Sequence, residues 1–198
     1  MSSNLKICIE HGPWLRRYGV EGSCKQLKAA RFDGLDYTEL CDTNLPLWQG
    51  SEEDFKARLV EMKNAAETYA LEICQTHGPW RSPPRDYTEE DRAERFEAFA
   101  KAIRGTAYLG SHVFIIHCLM PYGAQACDDH DEFMRINTEF FEKLAKVSIE
   151  YDVEIHIETL PFPRLPINSA KECADFAKMM NERTNSDVFR VCLDTGHC

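Results

Sequence analysis

The chain has 198 residues, 43% hydrophobic and 28% charged, with a formal net charge of −10 at pH 7; such a length can bury a sizeable single core. No run approaches the ~18 apolar residues of a membrane span, and Met1-Ser2-Ser3-Asn4 lacks the charged and apolar regions of a signal peptide, so a cytoplasmic, membrane-free protein is expected. The acidic balance argues against a nucleic-acid partner, because neutralising phosphates requires clustered lysine and arginine.

Leu5-Lys6-Ile7-Cys8-Ile9-Glu10 reads as a first strand that ends at His11-Gly12-Pro13-Trp14. An amphipathic helix over about 22–31 would carry Leu27 and Ala30 inward, and Asp33-Gly34 breaks it. A second strand is expected near 35–40, with the facing of Asp36 and Glu39 left open. Ser51-Glu52-Glu53-Asp54 has the cap and acidic first turn of a helix start. Phe55, Leu59, Met62, Ala66 and Tyr69 then recur at helical spacing and draw one buried stripe. Residues 71–76 form a third predicted strand, ending at His77-Gly78-Pro79-Trp80.

Thr88-Glu89-Glu90-Asp91 repeats the helix-start chemistry, and Phe96, Phe99, Ile103 and Ala107 continue the period. The apolar run 113–116 is a fourth strand that delivers His117. A helix over about 131–151 presents Phe133, Ile136, Phe140, Leu144 and Val147 on one face. The fifth strand, 153–157, delivers Glu158, after which Pro161 and Pro163 forbid continuation and form a stiff wall with Thr159 and Leu160. A helix over about 169–180 precedes the sixth strand, where Val191-Cys192-Leu193 delivers Asp194 and, after Thr195-Gly196, His197.

Strict alternation of strands and helices implies a parallel sheet with right-handed crossovers. Ile7-Cys8-x-x-His11-Gly12-Pro13-Trp14 recurs as Ile73-Cys74-x-x-His77-Gly78-Pro79-Trp80, a displacement of 66 residues. Two strand-helix units fill that interval, so the repeat relates strands one and three, which occupy equivalent layers in a barrel. Eight units at this spacing would need about 270 residues, close to the ~250 typical of that barrel. The expected fold class is therefore α/β: a partial (β/α)8 TIM barrel with about six of its eight units, one domain over residues 1–198 that is incomplete at its C-terminal side. Nine cysteines form no CxxC pair, and Cys8, Cys74, Cys118 and Cys192 lie in strand-like runs, which suits reduced core thiols.

His11, His77, His117, Glu158 and Asp194 each stand at the carboxyl end of a strand, the rim where parallel α/β folds build their sites. A carboxylate at the end of a buried apolar strand is costly unless it is paired or coordinates a metal, which singles out Glu158 and Asp194. Mixed carboxylate and imidazole donors suit manganese, zinc, cobalt or iron. A lone histidine after a strand is more commonly a packed structural residue, and that reading is kept for His11. His156, two residues before Glu158, reads as a buried layer residue, and His112 and His130 as loop or helix-end residues.

Ile157-Glu158-Thr159-Leu160-Pro161 and Cys192-Leu193-Asp194-Thr195-Gly196-His197, with weaker agreement at His77-Gly78-Pro79 and His117, resemble the xylose isomerase-like TIM barrel superfamily, which groups sugar isomerases and epimerases with endonuclease IV. The resemblance implies a metal-dependent sugar or sugar-phosphate isomerase or epimerase working by proton abstraction and an enediolate. It assigns Glu158 and Asp194 to one divalent ion, with Mn2+ first and Mg2+, Co2+ or Zn2+ as alternatives. It makes Glu158 one of two acid/base groups, His197 a contact to a substrate oxygen, and His77, His117 and Trp14 further substrate-binding residues. Two more metal ligands, a His of strand seven and a Glu of strand eight, lie outside these residues, so the chain alone is expected to be inactive. An endonuclease IV-like abasic-site nuclease would instead use His77, His117, Glu158, Asp194 and His197 in a multi-zinc site. A non-catalytic sugar-binding module is the third reading. The expected partner is a small sugar or sugar phosphate, with a homo-oligomer among the permitted assemblies.

Overall fold

Three of the five helices in the computed structural model, which describes residues 5–197, begin on one piece of local chemistry. The readings at Met1-Ser2-Ser3-Asn4 and of Cys198 lie outside the described residues. Ser51, Thr88 and Ser169 each accept a backbone N–H three residues on, while Asp54, Asp91 and Glu172 reach back to the cap's own N–H. These reciprocal bonds satisfy donors that a helix start would otherwise leave open. They open α2 (Glu52–Thr68), α3 (Glu89–Tyr108) and α5 (Ala170–Thr184). Asp129 caps α4 (His130–Tyr151), which ends on left-handed Asp152.

The first helix departs from the sequence reading. α1 runs from Gly12 to Ala29, with a non-helical break at Gly19 (φ 70°) and Pro13 in its first turn. Pro13 starts this helix, because a first-turn residue needs no N–H partner and its fixed φ is already helical. Leu27 is buried as expected, but Ala30 is exposed past the helix end, and Ser23 and Cys24 fill the inner face instead.

Between the helices run β1 (Cys8–Glu10), β2 (Gly34–Tyr37), β3 (Glu72–His77), β4 (Val113–Ile116), β5 (Glu154–Glu158) and β6 (Phe189–Cys192). All pair in parallel in the order β1-β2-β3-β4-β5-β6, which leaves β1 and β6 at the two edges. β2 is shorter than expected, because residues 38–40 close into a 3-10 turn. Alternation along each strand gives the sheet two different faces. Leu35, Phe114, Ile116, Ile155, Ile157 and Phe189 are buried against the helices, where Phe55, Phe99, Ile103, Phe141 and Leu144 meet them. The opposite face is polar: Glu154, His156 and Glu158 alternate with the two buried isoleucines of β5. His156 bonds Glu154 at 3.0 Å, and Arg190 of β6 reaches Glu154 at 3.3 Å.

The expectation of reduced core thiols fails at one pair. Cys8 and Cys74 form a disulfide that ties β1 to β3 across β2. Gly34 of β2 lies directly between them: a Cβ there would meet the Cys74 sulfur at 2.7 Å and the Cys8 sulfur at 3.2 Å. The repeat gives the two cysteines equivalent positions in β1 and β3, Cys74 falls at the irregularity in the β2–β3 register, and the glycine leaves the room for their bond. Cys24, Cys118 and Cys173 are buried free thiols, whereas Cys192 is only partly buried.

Candidate metal centre

β3, β4 and β5 end at one level, and their last residues turn toward a single carboxylate. The β3–β4 and β4–β5 registers pair His77 with Ile115 and Ile116 with Ile157, so His77, His117 and Glu158 reach the rim together. His77 Nε2 lies 3.0 Å and His117 Nε2 2.7 Å from the same atom, Glu158 Oε2. The two imidazoles meet edge to face at 4.9 Å, and Trp80 meets His117 the same way at 4.6 Å.

Glu158 also faces a second group of donors. His197 lies 3.9 Å from Glu158 Oε1 and 3.4 Å from Asp194 Oδ2. The 3-10 turn at Thr195–His197 brings this imidazole back over the strand, and its Nδ1–H donates to the Thr159 carbonyl at 2.8 Å. Thr159 Oγ1 accepts the Asp194 N–H at 3.0 Å, which locks the two strand ends together. One ligand atom each from His77, His117 and Glu158 lies within 4.8 Å of the others, and the same holds for Glu158, Asp194 and His197.

Burial works to raise the Glu158 carboxyl, but the hydrogen bonds and charge of His117 and His77 outweigh it and hold the group well below the usual carboxylate range. For His77, burial pushes down, yet the Cys41 thiol, Glu158 and the Gly78 carbonyl together hold the ring well above its ordinary value. His117 falls below its ordinary value, because burial outweighs its bond to Glu158. His77 Nδ1 lies 2.8 Å from the Gly78 carbonyl, to which it can only donate, and Nε2 faces Glu158. A cation at Nε2 would find Nδ1–H already fixed by a backbone carbonyl, the usual arrangement of metal-binding histidines.

His77, His117, Glu158, Asp194 and His197 are brought together, whereas Trp14 sits in the first turn of α1 and stacks on Tyr18 at 6.0 Å. Its counterpart in the repeat, Trp80, packs against His117; the repeat itself was the signal that could have found it. Asp36, whose facing the sequence left open, points to the same side of the sheet: burial raises its carboxyl, Gln75 and His77 oppose that, and Glu10 and Glu158 add to it. His11 is fully buried as the residue before α1, with Nε2 2.8 Å from Ser23 Oγ.

Residues 27–198 match the xylose isomerase-like TIM barrel family. The chain belongs to that family. Among solved structures it is similar to 3-keto-D-glucoside 4-epimerase from E. coli (14% identity, TM-score 0.70), covering 98% of this chain and 70% of that one. It is also similar to a D-psicose 3-epimerase from Clostridium cellulolyticum H10 solved with D-tagatose (19%, TM-score 0.70; 98% and 64% covered). A third likeness is to the IolI protein solved with a zinc atom (14%, TM-score 0.70; 98% and 64% covered). At these identities the likeness shows the fold, a partial TIM barrel, and the chain spans 64 to 70% of the length of these three structures. No curated protein matches the chain by sequence.

Proposed function

We propose that this chain carries part of a metal-dependent sugar or sugar-phosphate isomerase or epimerase site, in which Glu158, Asp194 and His197 face the substrate and His77 and His117 complete the donor set. The observation that carries the reading is the convergence of two imidazoles and a second carboxylate on the two oxygens of Glu158. Family membership supports the same class of chemistry. Nitrogen and carboxylate donors with no thiolate fit Mn2+, Co2+ or Zn2+. When bound, such an ion would polarise a substrate carbonyl and stabilise negative charge on its oxygen.

The chain's own residues do the rest. Glu158 stays ionised and can take the proton from the carbon beside the carbonyl, giving an enediolate that regains a proton on the same or the neighbouring carbon. His197, held through Nδ1 by the Thr159 carbonyl, has Nε2 left for a sugar oxygen. Trp80 packs against His117 and steadies its ring.

The test is made in the natural protein carrying this chain. Glu158→Gln keeps the shape but loses the negative charge; exchange of the substrate proton into D2O should stop and metal content should fall, with the circular dichroism spectrum unchanged. Near-normal exchange by that variant would remove Glu158 from the mechanism. Two observations would redirect the reading: three metals per chain would favour an abasic-site nuclease, and sugar binding that survives EDTA without turnover would favour a binding module.

A further inference from the structure

The β3–β4 pairing is short. Only Thr76 with Phe114 and His77 with Ile115 are in register, against four pairs between β4 and β5. Just beyond it the Gly78 N–H donates to the Ile115 carbonyl at 2.8 Å, and a buried ion pair also joins the two loops that follow.

Asp86 is 2% exposed and Arg95 of α3 is 6% exposed. Asp86 Oδ2 accepts the Met120 N–H at 2.9 Å, three residues after His117. Its Oδ1 lies 3.3 Å from Arg95 Nε, and Arg95 donates through Nη1 to the Pro79 carbonyl at 2.7 Å, two residues after His77. The Arg95 guanidinium also lies over the Phe99 ring at 4.4 Å, and Phe99 is one of the rings that would meet a Cβ on Gly78. Arg81 Nη2 donates to the same oxygen, Asp86 Oδ1, at 3.3 Å. Burying charges here is a poor route to bulk stability, since desolvation offsets most of the attraction. What the pair does supply is a link: the carboxylate accepts the Met120 N–H on one side and lies against the guanidinium that donates to the Pro79 carbonyl on the other.

We propose that Asp86 and Arg95 are positioning residues that set the spacing of His77 and His117, acting through the Pro79 carbonyl and the Met120 amide. The proposal rests on the reading of those histidines as metal donors only for its affinity measurement. The loops carry the imidazoles, and the ion pair holds the loops at one separation. Asn137 of α4 supports the same loop from the other side, accepting the Leu119 N–H at 2.7 Å.

The experiment measures binding of Zn2+ alone by calorimetry, ring-proton chemical shifts of His77 and His117 in the metal-free protein, and hydrogen exchange at the Met120 amide. Asp86→Ala should lower Zn2+ affinity about tenfold, within the range of changes beyond the ligands. It should also shift both ring signals and expose the Met120 amide. Asp86→Asn, which keeps an oxygen for that amide, should restore its protection but only part of the affinity. Ile103→Val, a buried change in the helical layer, should move stability and none of the three readouts. Should Asp86→Ala not fold, Arg95→Lys keeps the charge, loses the Nη1 donor to the Pro79 carbonyl, and should lower affinity while Met120 stays protected. Unchanged affinity and ring shifts in the folded variants would overturn the proposal. If the wild type takes up no Zn2+, the metal reading fails, and the ring shifts alone still decide whether the ion pair positions the histidines.

Discussion

The two copies of the His-Gly-Pro-Trp segment have the same residues and opposite fates. After β1 the segment enters a helix: His11 is fully buried against Ser23, and Trp14 packs on Tyr18. After β3 it stays extended: the Gly78 N–H donates to the Ile115 carbonyl at 2.8 Å, the Trp80 N–H donates to the Cys41 carbonyl at 2.7 Å, and both side chains next to that stretch face the candidate metal centre. The difference teaches that the neighbours decide the role. His11 finds Ser23 in the helix that follows it, whereas the C-terminal loop of β3 finds backbone partners in the β4 end and in the loop after β2.

The largest expected effect separates the two histidines by pH. Burial lowers His11 to about 4 from 6.5. The unfolded chain then binds the proton more tightly, so stability should fall as pH drops from 6.5 toward 4, by about 3 kcal/mol when complete. Denaturant unfolding of His11→Gln across that window should lack this component. His77 has the opposite sign: its raised value makes the charged form favourable when folded, so its contribution is full below 6.5 and disappears as pH rises through the folded value. Equal pH dependence in His11→Gln and wild type would break the contrast.

Metal affinity comes next. His77→Ala should weaken Zn2+ or Mn2+ binding by about 10- to 100-fold, scaled on losses around metal sites, and His11→Ala should leave it unchanged. Binding should also strengthen as pH rises and His77 gives up its proton, with proton release seen in calorimetry run in buffers of different ionisation heat.

The glycines sharpen the comparison further. A Cβ on Gly78 would meet the Phe114 ring at 2.7 Å and the Phe99 ring at 3.1 Å, whereas one on Gly12 would meet the Thr38 hydroxyl at 2.9 Å and the mobile end of Arg16 at 3.1 Å. Gly78→Ala should therefore cost about 1–3 kcal/mol as overpacking, and Gly12→Ala less, both read from the denaturation midpoint. The smallest effect is expected from Trp80→Leu, which removes an edge-to-face contact worth about 1 kcal/mol and should weaken metal binding several-fold less than His77→Ala does; Trp14→Leu should not weaken it at all.

Much of this was legible in the residues. Ser51, Thr88 and Ser169 announce their helices because capping is local, and Phe55, Leu59, Met62 and Ala66 fall on the buried face at the spacing the sequence gives them. The rim residues of β3 to β6 could be picked out because an apolar run ending in His, Glu or Asp is a local pattern. What stayed hidden depended on partners far along the chain. Pro13 can end one element or begin the next, and only the backbone beyond it decides. Which tryptophan reaches the site depends on Cys41, and the facing of Asp36 depends on the irregular register between β2 and β3. The Cys8–Cys74 bond needs two strands that are not neighbours to bring equivalent positions together, a relation that the 66-residue repeat carries but that cysteine spacing alone does not.

Gly34 sets the order in which these positions can vary. A side chain there would meet the two sulfurs, but it would also meet the Glu72 carbonyl oxygen at 2.4 Å, and that oxygen belongs to the backbone. Either cysteine can thus be replaced while the glycine stays, and β1 would merely lose its tie. The reverse exchange is closed even to a chain that has given up both cysteines, because β3 itself would have to move, and with it the strand end that carries His77.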